Sequence, residues 1–259
     1  MTPIRDRLRA GLIPVLSISS FLTLVEMVKY VGLLPVTVPA PSAVLRLLMR
    51  DPEAVIDNLL PTLRAAGIGF SAAAITAIGL ATVATLIKRT KPLIYNLAVL
   101  TYSIPLLALS PVLVVWFGNG PAGRIVISAL AGFFPILVGA MQGFSAIDPR
   151  QSELFHSLAA SPWQRFRLLA LPSALGFIFS GMKIAAASAV LGAIVAEWAG
   201  AERGLGVMMA YALFAFNVDQ VWLAMLVTVV CALGCYGLVL GAERILMPWN
   251  RSNALQEAS

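Results

Sequence analysis

The chain has 259 residues, 59% of them hydrophobic and 12% charged, with a formal charge of +6 at pH 7. A soluble domain is about one quarter charged, so this composition excludes a water-soluble fold and describes an integral membrane protein. The excess of Lys and Arg does not indicate nucleic acid, because these residues sort by loop in the manner of a topology signal.

Apolar runs of about twenty residues, the length that crosses a hydrocarbon core of about 30 Å, lie near 12–34, 65–87, 92–117, 125–147, 173–196 and 221–242. They are rich in Ala, Leu, Val and Gly and lack strand alternation. Six helical spans are therefore expected rather than a β-barrel. The first 27 residues have the charged and apolar regions of a signal peptide but no small-x-small cleavage site, and read as a retained first span. Glu26 and Lys29, three apart on it, are expected to pair with each other. The segment LLPVTVPAPSAVLRLLMRDPEAVIDNLLPTLRAA mixes charge with apolar residues at helix spacing, predicting one or two short amphipathic helices on the external surface. The small residues of span two predict burial between other helices.

Span three carries Pro105 and Pro111, and span four carries Pro135 before Gly139 and Gly143. Proline removes a helix hydrogen bond and bends the axis. In a membrane such a break either improves packing or lines a pathway whose walls satisfy the freed carbonyls, and the sequence leaves both open. Span five holds Lys183 and Glu197, which a rise of about 1.5 Å per residue separates by roughly 21 Å, too far to pair directly. Each is expected near an interface, snorkelling or paired with a neighbouring helix. Pro105, Pro111, Trp116, Pro135 and Glu197 are the candidate pathway residues. Cys231 and Cys235 sit four apart on the last span with no further cysteine, so a disulfide framework or a zinc site is not expected, nor is any other metal site. No segment repeats another, and residues 1–259 read as one domain.

An even number of spans puts both termini on one side. That side collects Arg5, Arg7, Arg9, Lys88, Arg89, Lys91, Arg150, Arg165, Arg167, Arg244 and Arg251; the other holds Arg46, Arg50, Arg64, Arg124 and Arg203. The positive-inside rule then places both termini in the cytoplasm. The polar island between spans four and five, DPRQSELFHSLAASPWQRFRLLALP, is cytoplasmic by the same rule.

Within the island, Asp148-Pro149-Arg150-Gln151 and Ser161-Pro162-Trp163-Gln164 share one grammar: a capping side chain, proline at the first helical position, and a glutamine three after the cap. Two helices are expected. One runs to about Ala160 with Leu154, Phe155 and Leu158 on one side; the other carries Trp163 and Phe166 and ends where Leu171-Pro172 hands the chain to span five. The apolar face of such a helix can lie on lipid headgroups or dock in a groove of a cytoplasmic partner.

Glu153, a small residue at Ala159, then Leu169, Leu171 and Pro172 fall in register on the EAA loop of binding-protein-dependent ABC transporter permeases, which this island resembles. The blocks VPAPSAVL, IPLLALSPVLVVWFGNG, FFPILVGAMQGFSAIDP, FSGMKIAAASAVLGAIVAE and RGLGVMM look like the nitrate, taurine and sulfonate branch, over roughly residues 15 to 250. The resemblance implies an all-α membrane protein with six transmembrane helices of the type I ABC importer permease fold and a cytoplasmic EAA coupling helix. It further implies a two-fold pair of permeases, here a homodimer, seated on two ABC ATPase subunits in the cytoplasmic (inner) membrane of a prokaryote. An external binding protein would deliver a small anion of the nitrate, sulfonate or taurine kind, or a pyrimidine- or flavin-like nutrient. Glu153, Leu154, Phe155, His156, Leu158, Ala159, Ala160, Leu171 and Pro172 are the candidate ATPase-coupling residues. Two departures stand out: the family's glycine is Ala159, and its two alanines are Leu154 and Phe155.

The sequence has no G-x-x-x-x-G-K-[ST] loop, so no cofactor is expected on this chain, and ATP with magnesium is expected on the partner ATPase. A secondary transporter or channel working without an ATPase is the competing reading. It calls for ionisable sites near mid-membrane in paired halves, and the expected spans two, three, four and six are uncharged. A membrane enzyme calls for converging His, Asp or Cys, whereas the one histidine, His156, lies on the island.

Overall fold

The computed structural model describes residues 4–248. The cations counted at Arg5, Arg7 and Arg9 have side chains outside that description, and Arg251 lies beyond it. The described helices are α1 (Ile4–Tyr30), α2 (Pro41–Arg50), α3 (Pro52–Leu86), α4 (Lys91–Ser103), α5 (Leu106–Phe117), α6 (Pro121–Ser145), α7 (Pro149–Ser157), α8 (Pro162–Arg165), α9 (Leu171–Glu197), α10 (Leu205–Phe214) and α11 (Val218–Leu246). Four uninterrupted helical stretches, Pro52–Leu86, Pro121–Ser145, Pro162–Glu197 and Val218–Leu246, are long and apolar enough to cross a membrane, and the α4–α5 pair, bent by 91°, forms either a broken fifth span or a re-entrant loop. The first expected span overlaps α1.

By contact density the chain forms two compact units, residues 57–207 with 227–248, and residues 4–56 with 208–226. In the smaller unit α2 begins at Pro41 behind Ala40, whose methyl group cannot cap a helix. Glu26 of α1 takes over that task. Its carboxylate accepts from the Ser42 backbone N–H at 3.0 Å and from the Ser42 hydroxyl at 2.7 Å, while Lys29 donates to the Pro35 carbonyl at 2.9 Å. The expected Glu26–Lys29 pair is thereby corrected: an uncapped helix N-terminus outcompetes a surface ion pair of marginal worth.

The larger unit is built on α6 crossing α9, its most extensive helix contact. Small residues set the distance. A Cβ added at Gly181 would lie 2.5 Å from the Pro135 carbonyl oxygen, and one at Gly139 would lie 2.7 Å from that of Phe177. Around the crossing, Ala73, Ala77 and Ala81 of α3 pack with Ile136, Leu137 and Ala140 of α6 and Ala185 of α9, all at 1% exposure or less. Span two buries its alanine face, but Ile68 and Ile75 on it are more than half exposed, so it packs on one side rather than between other helices as expected. Gly181→Ala is expected to lower stability by about 1–3 kcal/mol, because the backbone behind Pro135 cannot yield as a side chain would. Gly79→Ala is the control: nothing lies within 4 Å of its Cβ, and alanine there gains up to about 1 kcal/mol of helix preference. Heat-induced loss of monodispersity in detergent should order the variants Gly181→Ala, parent, Gly79→Ala from lowest midpoint to highest.

Two charges in this unit resolve into a pair. Lys183 of α9 donates to Glu243 of α11 at 2.8 Å, with both side chains largely buried. The sixth span reaches Glu243 and Arg244 because α11 runs to Leu246, four residues past its expected end. Span two likewise starts well before residue 65, since Pro52 opens a helix of 35 residues that absorbs the second expected amphipathic helix.

Candidate functional site

Two features carry chemistry that packing alone does not require: the island between α6 and α9, and the break between α4 and α5.

The island folds much as its caps dictate. Asp148 accepts from the Arg150 N–H at 2.8 Å, and Pro149 opens α7. Ser161 and Gln164 complete a reciprocal capping box at 3.2 and 2.8 Å; Asp148 caps α7 without one. Helix α7 ends at Ser157, sooner than expected, and closes with the Ala160 N–H on the Phe155 carbonyl at 3.0 Å. Such a six-to-one closure places the residue past the C-cap in the left-handed region. That residue is Ala159, with φ of +49°. It is the position where the EAA pattern has glycine, and backbone conformation supplies a reason for that glycine which the spacing could not show.

No residue of α7 is buried. Leu154 and Leu158 stand more than half exposed, Glu153 and His156 point outward, and Phe155 and Ala160 are half-buried. His156 Nε2 lies 2.7 Å from an Arg165 guanidinium nitrogen, tying α7 to α8. Trp163 stacks on Phe166 at 5.6 Å, and Phe166 meets Phe144 of α6 at 5.3 Å.

Leu171-Pro172 does not end the second island helix, contrary to the expectation. The chain stays helical from Pro162 to Glu197 by widening to a π turn over Phe166–Ala170, where the Leu171 N–H reaches back to Phe166. Proline explains the widening. Pro172 has no N–H for the Leu168 carbonyl, and its ring would clash with that group in a regular α-helix, so one extra residue in the turn relieves the contact. Phe166, Leu169 and Ala170 are the buried residues of this turn.

At the second feature, α4 stops at Ser103 and α5 starts at Leu106. Pro105 restricts Ile104 to an extended backbone, with ψ of 122°, and this produces the 91° bend. Pro105 is thus a break, whereas Pro111 and Pro135 lie inside helices that continue through them. Trp116 is 71% exposed at the far end of α5. Glu197 is at 1% exposure. Its carboxylate accepts from the Thr62 hydroxyl at 2.7 Å and from the Gly206 N–H at 2.8 Å. Thr62 in turn accepts from the Leu205 N–H at 2.9 Å, and Asn58 from the Gly204 N–H at 3.1 Å. Thus α3, the end of α9 and the start of α10 are stapled by one polar cluster. Sequence reading missed Thr62 and Asn58, although two polar residues four apart beside an oily run were the available signal.

The pattern of the family described as binding-protein-dependent transport system inner membrane component matches residues 70–252, which include the α4–α5 break, the island and all of α11. The chain belongs to this family. It is a multi-pass membrane protein and a transport permease rather than an enzyme. A formylaminopyrimidine transport permease protein, ThiX, of Halalkalibacterium halodurans is 29% identical over 84% of this chain and 87% of its own length. A probable ABC transporter permease of Haemophilus influenzae is 30% identical over 86% of this chain and 91% of its own. The taurine transport system permease TauC of Escherichia coli is 32% identical over 57% of this chain and 54% of its own. The expected membership of the binding-protein-dependent permeases is confirmed.

Proposed function

We propose that this chain forms a homodimeric six-span permease in a prokaryotic inner membrane, with both termini cytoplasmic, and that α7 is the coupling helix through which two ATPase subunits drive it. The observation that carries this is α7 itself. Leu154 on it and Leu158 at its C-cap are exposed outside any span, and its two ends are fixed by caps and by the His156–Arg165 contact, so it is presented as a rigid knob. Glu153, Leu154, Phe155, His156 and Leu158 would contact an ATPase cleft, with Ala159, Ala160, Leu171 and Pro172 shaping the turn that returns the motion to α9. ATP and magnesium would be bound by the partner. An external binding protein would deliver a small organic solute, in keeping with the pyrimidine- and taurine-transporting relatives.

Co-expression with an ATPase and a binding protein encoded beside it tests this reading. The expected product is a complex of two permeases and two ATPases whose ATP hydrolysis rises with loaded binding protein, the isolated chain hydrolysing none. A monodisperse chain that transports in liposomes without any ATPase would overturn it.

A further inference from the structure

Beside the α4–α5 break lies a cavity of about 230 Å³ lined by Thr101, Tyr102, Leu106, Ser188, Leu191 and Gly192, among others. Its size falls below the roughly 300–1,000 Å³ of pockets for drug-sized ligands. None of the residues lining it carries a charge. Tyr102 stacks on Phe134 with ring centroids 4.5 Å apart and planes inclined by 24°, and it is 66% exposed. Phe134 therefore holds one face of the tyrosine ring and leaves the other open. The Thr101 hydroxyl donates to Ala98 at 2.8 Å and that of Ser188 to Ile184 at 3.0 Å, so both oxygens keep lone pairs to accept from a ligand. The Tyr102 hydroxyl makes no hydrogen bond among the described residues and is free to donate. The break adds backbone groups of both kinds: the last carbonyls of α4 and the first N–H groups of α5 lack intrahelical partners.

We propose that this cavity is a solute site for a neutral, planar nitrogen heterocycle, stacked on Tyr102 and hydrogen-bonded by Thr101 and Ser188. This rests on the permease reading and narrows it. An anion such as nitrate or a sulfonate needs a cation or a dense set of donors once it leaves water, and the lining supplies no cation. The positive end of α5 does not substitute for one, since the negative end of α4 stops three residues before it and the two half-charges largely cancel. A zwitterion would leave both its charges unpaired here. A heterocycle instead offers an aromatic face to Tyr102 and both donors and acceptors to hydroxyls and backbone.

The test uses the full chain with Cys231 and Cys235 replaced by alanine and Leu191→Cys added as the reporter, reconstituted in nanodiscs with and without its ATPase. Alkylation by N-ethylmaleimide is timed in the presence of 4-amino-2-methylpyrimidine, taurine or nitrate. The pyrimidine should slow alkylation while taurine and nitrate at equal concentration do not. Tyr102→Ala should raise the pyrimidine concentration for half-protection by about five- to tenfold, the worth of one stacked face. Tyr102→Leu, which keeps bulk without the π face, should do the same if the alanine variant does not fold. Protection by taurine or nitrate equal to that by the pyrimidine would overturn the ligand class. A cysteine that never reacts, one that no probe protects, or protection indifferent to both Tyr102 variants would overturn the site. ATPase association and stimulated hydrolysis, read on the same samples, separate these failures from a failure of the permease reading.

Discussion

Replacing Glu197 by leucine is expected to cost roughly 1–3 kcal/mol, because the Gly206 N–H loses its buried acceptor while the Thr62 hydroxyl still has the Asn58 carbonyl within reach. Glutamine should behave differently. Its amide oxygen can take the Gly206 N–H while its NH2 donates to Thr62, provided the Thr62 hydroxyl turns to the Asn58 carbonyl, already 3.2 Å away. Every donor of the parent then keeps an acceptor and only the second amide N–H of the glutamine is left over, so Glu197→Gln should stay within about 1.5 kcal/mol of the parent. Thermal midpoints of the two variants in detergent, with Thr62→Val beside them, check the argument. Thr62→Val combined with Glu197→Leu should cost less than the two separately, since the partners belong to one cluster. Should Glu197→Gln fold and melt like the parent yet abolish uptake, Glu197 would serve the pathway as well as the staple.

How much of this was legible in the sequence follows from the range of the forces involved. The caps of α7 and α8 were readable because a cap is satisfied within three residues, and Asp148 and Ser161 act as their spacing predicts. The apolar lengths were readable because the bilayer fixes them. What escaped was the partner at a distance. Glu26 caps Ser42 from sixteen residues away, Glu197 finds Thr62 across 135, and Lys183 finds Glu243 across 60. Nothing local in a sequence ranks such partners above nearer ones. The kinks divide in the same way: three prolines carry the same local chemistry, but only at Pro105 does the chain break, where α4 and α5 pack separately against α6. The π turn before Pro172 was hidden because helix patterns assume a regular turn, although the clash of Pro172 with Leu168 follows from covalent geometry alone.

At Ala159 the two explanations for a small residue predict different outcomes. Close approach to an ATPase would penalise bulk, so valine and asparagine, similar in size, should fail alike. A left-handed backbone penalises branching at Cβ and tolerates asparagine, because the asparagine side chain can hydrogen-bond locally while a β-branched residue with φ near +49° is a strained outlier. The structure favours the second explanation, since Ala159 has φ of +49° and its conformation is fixed by the Ala160 to Phe155 closure. Ala159→Gly should relieve about 1–2 kcal/mol of strain and leave binding-protein-stimulated ATP hydrolysis at or above the parent level. Ala159→Asn should remain close to the parent. Ala159→Val should unseat the turn, let α7 drift from the position that His156 and Arg165 hold, and remove most of the stimulation while membrane insertion is unchanged. Glu153→Lys, which reverses a charge on the exposed face of α7 without touching the turn, should lower stimulation through the partner contact alone. Equal losses for Asn and Val would instead make bulk the determinant at residue 159 and place it against the ATPase.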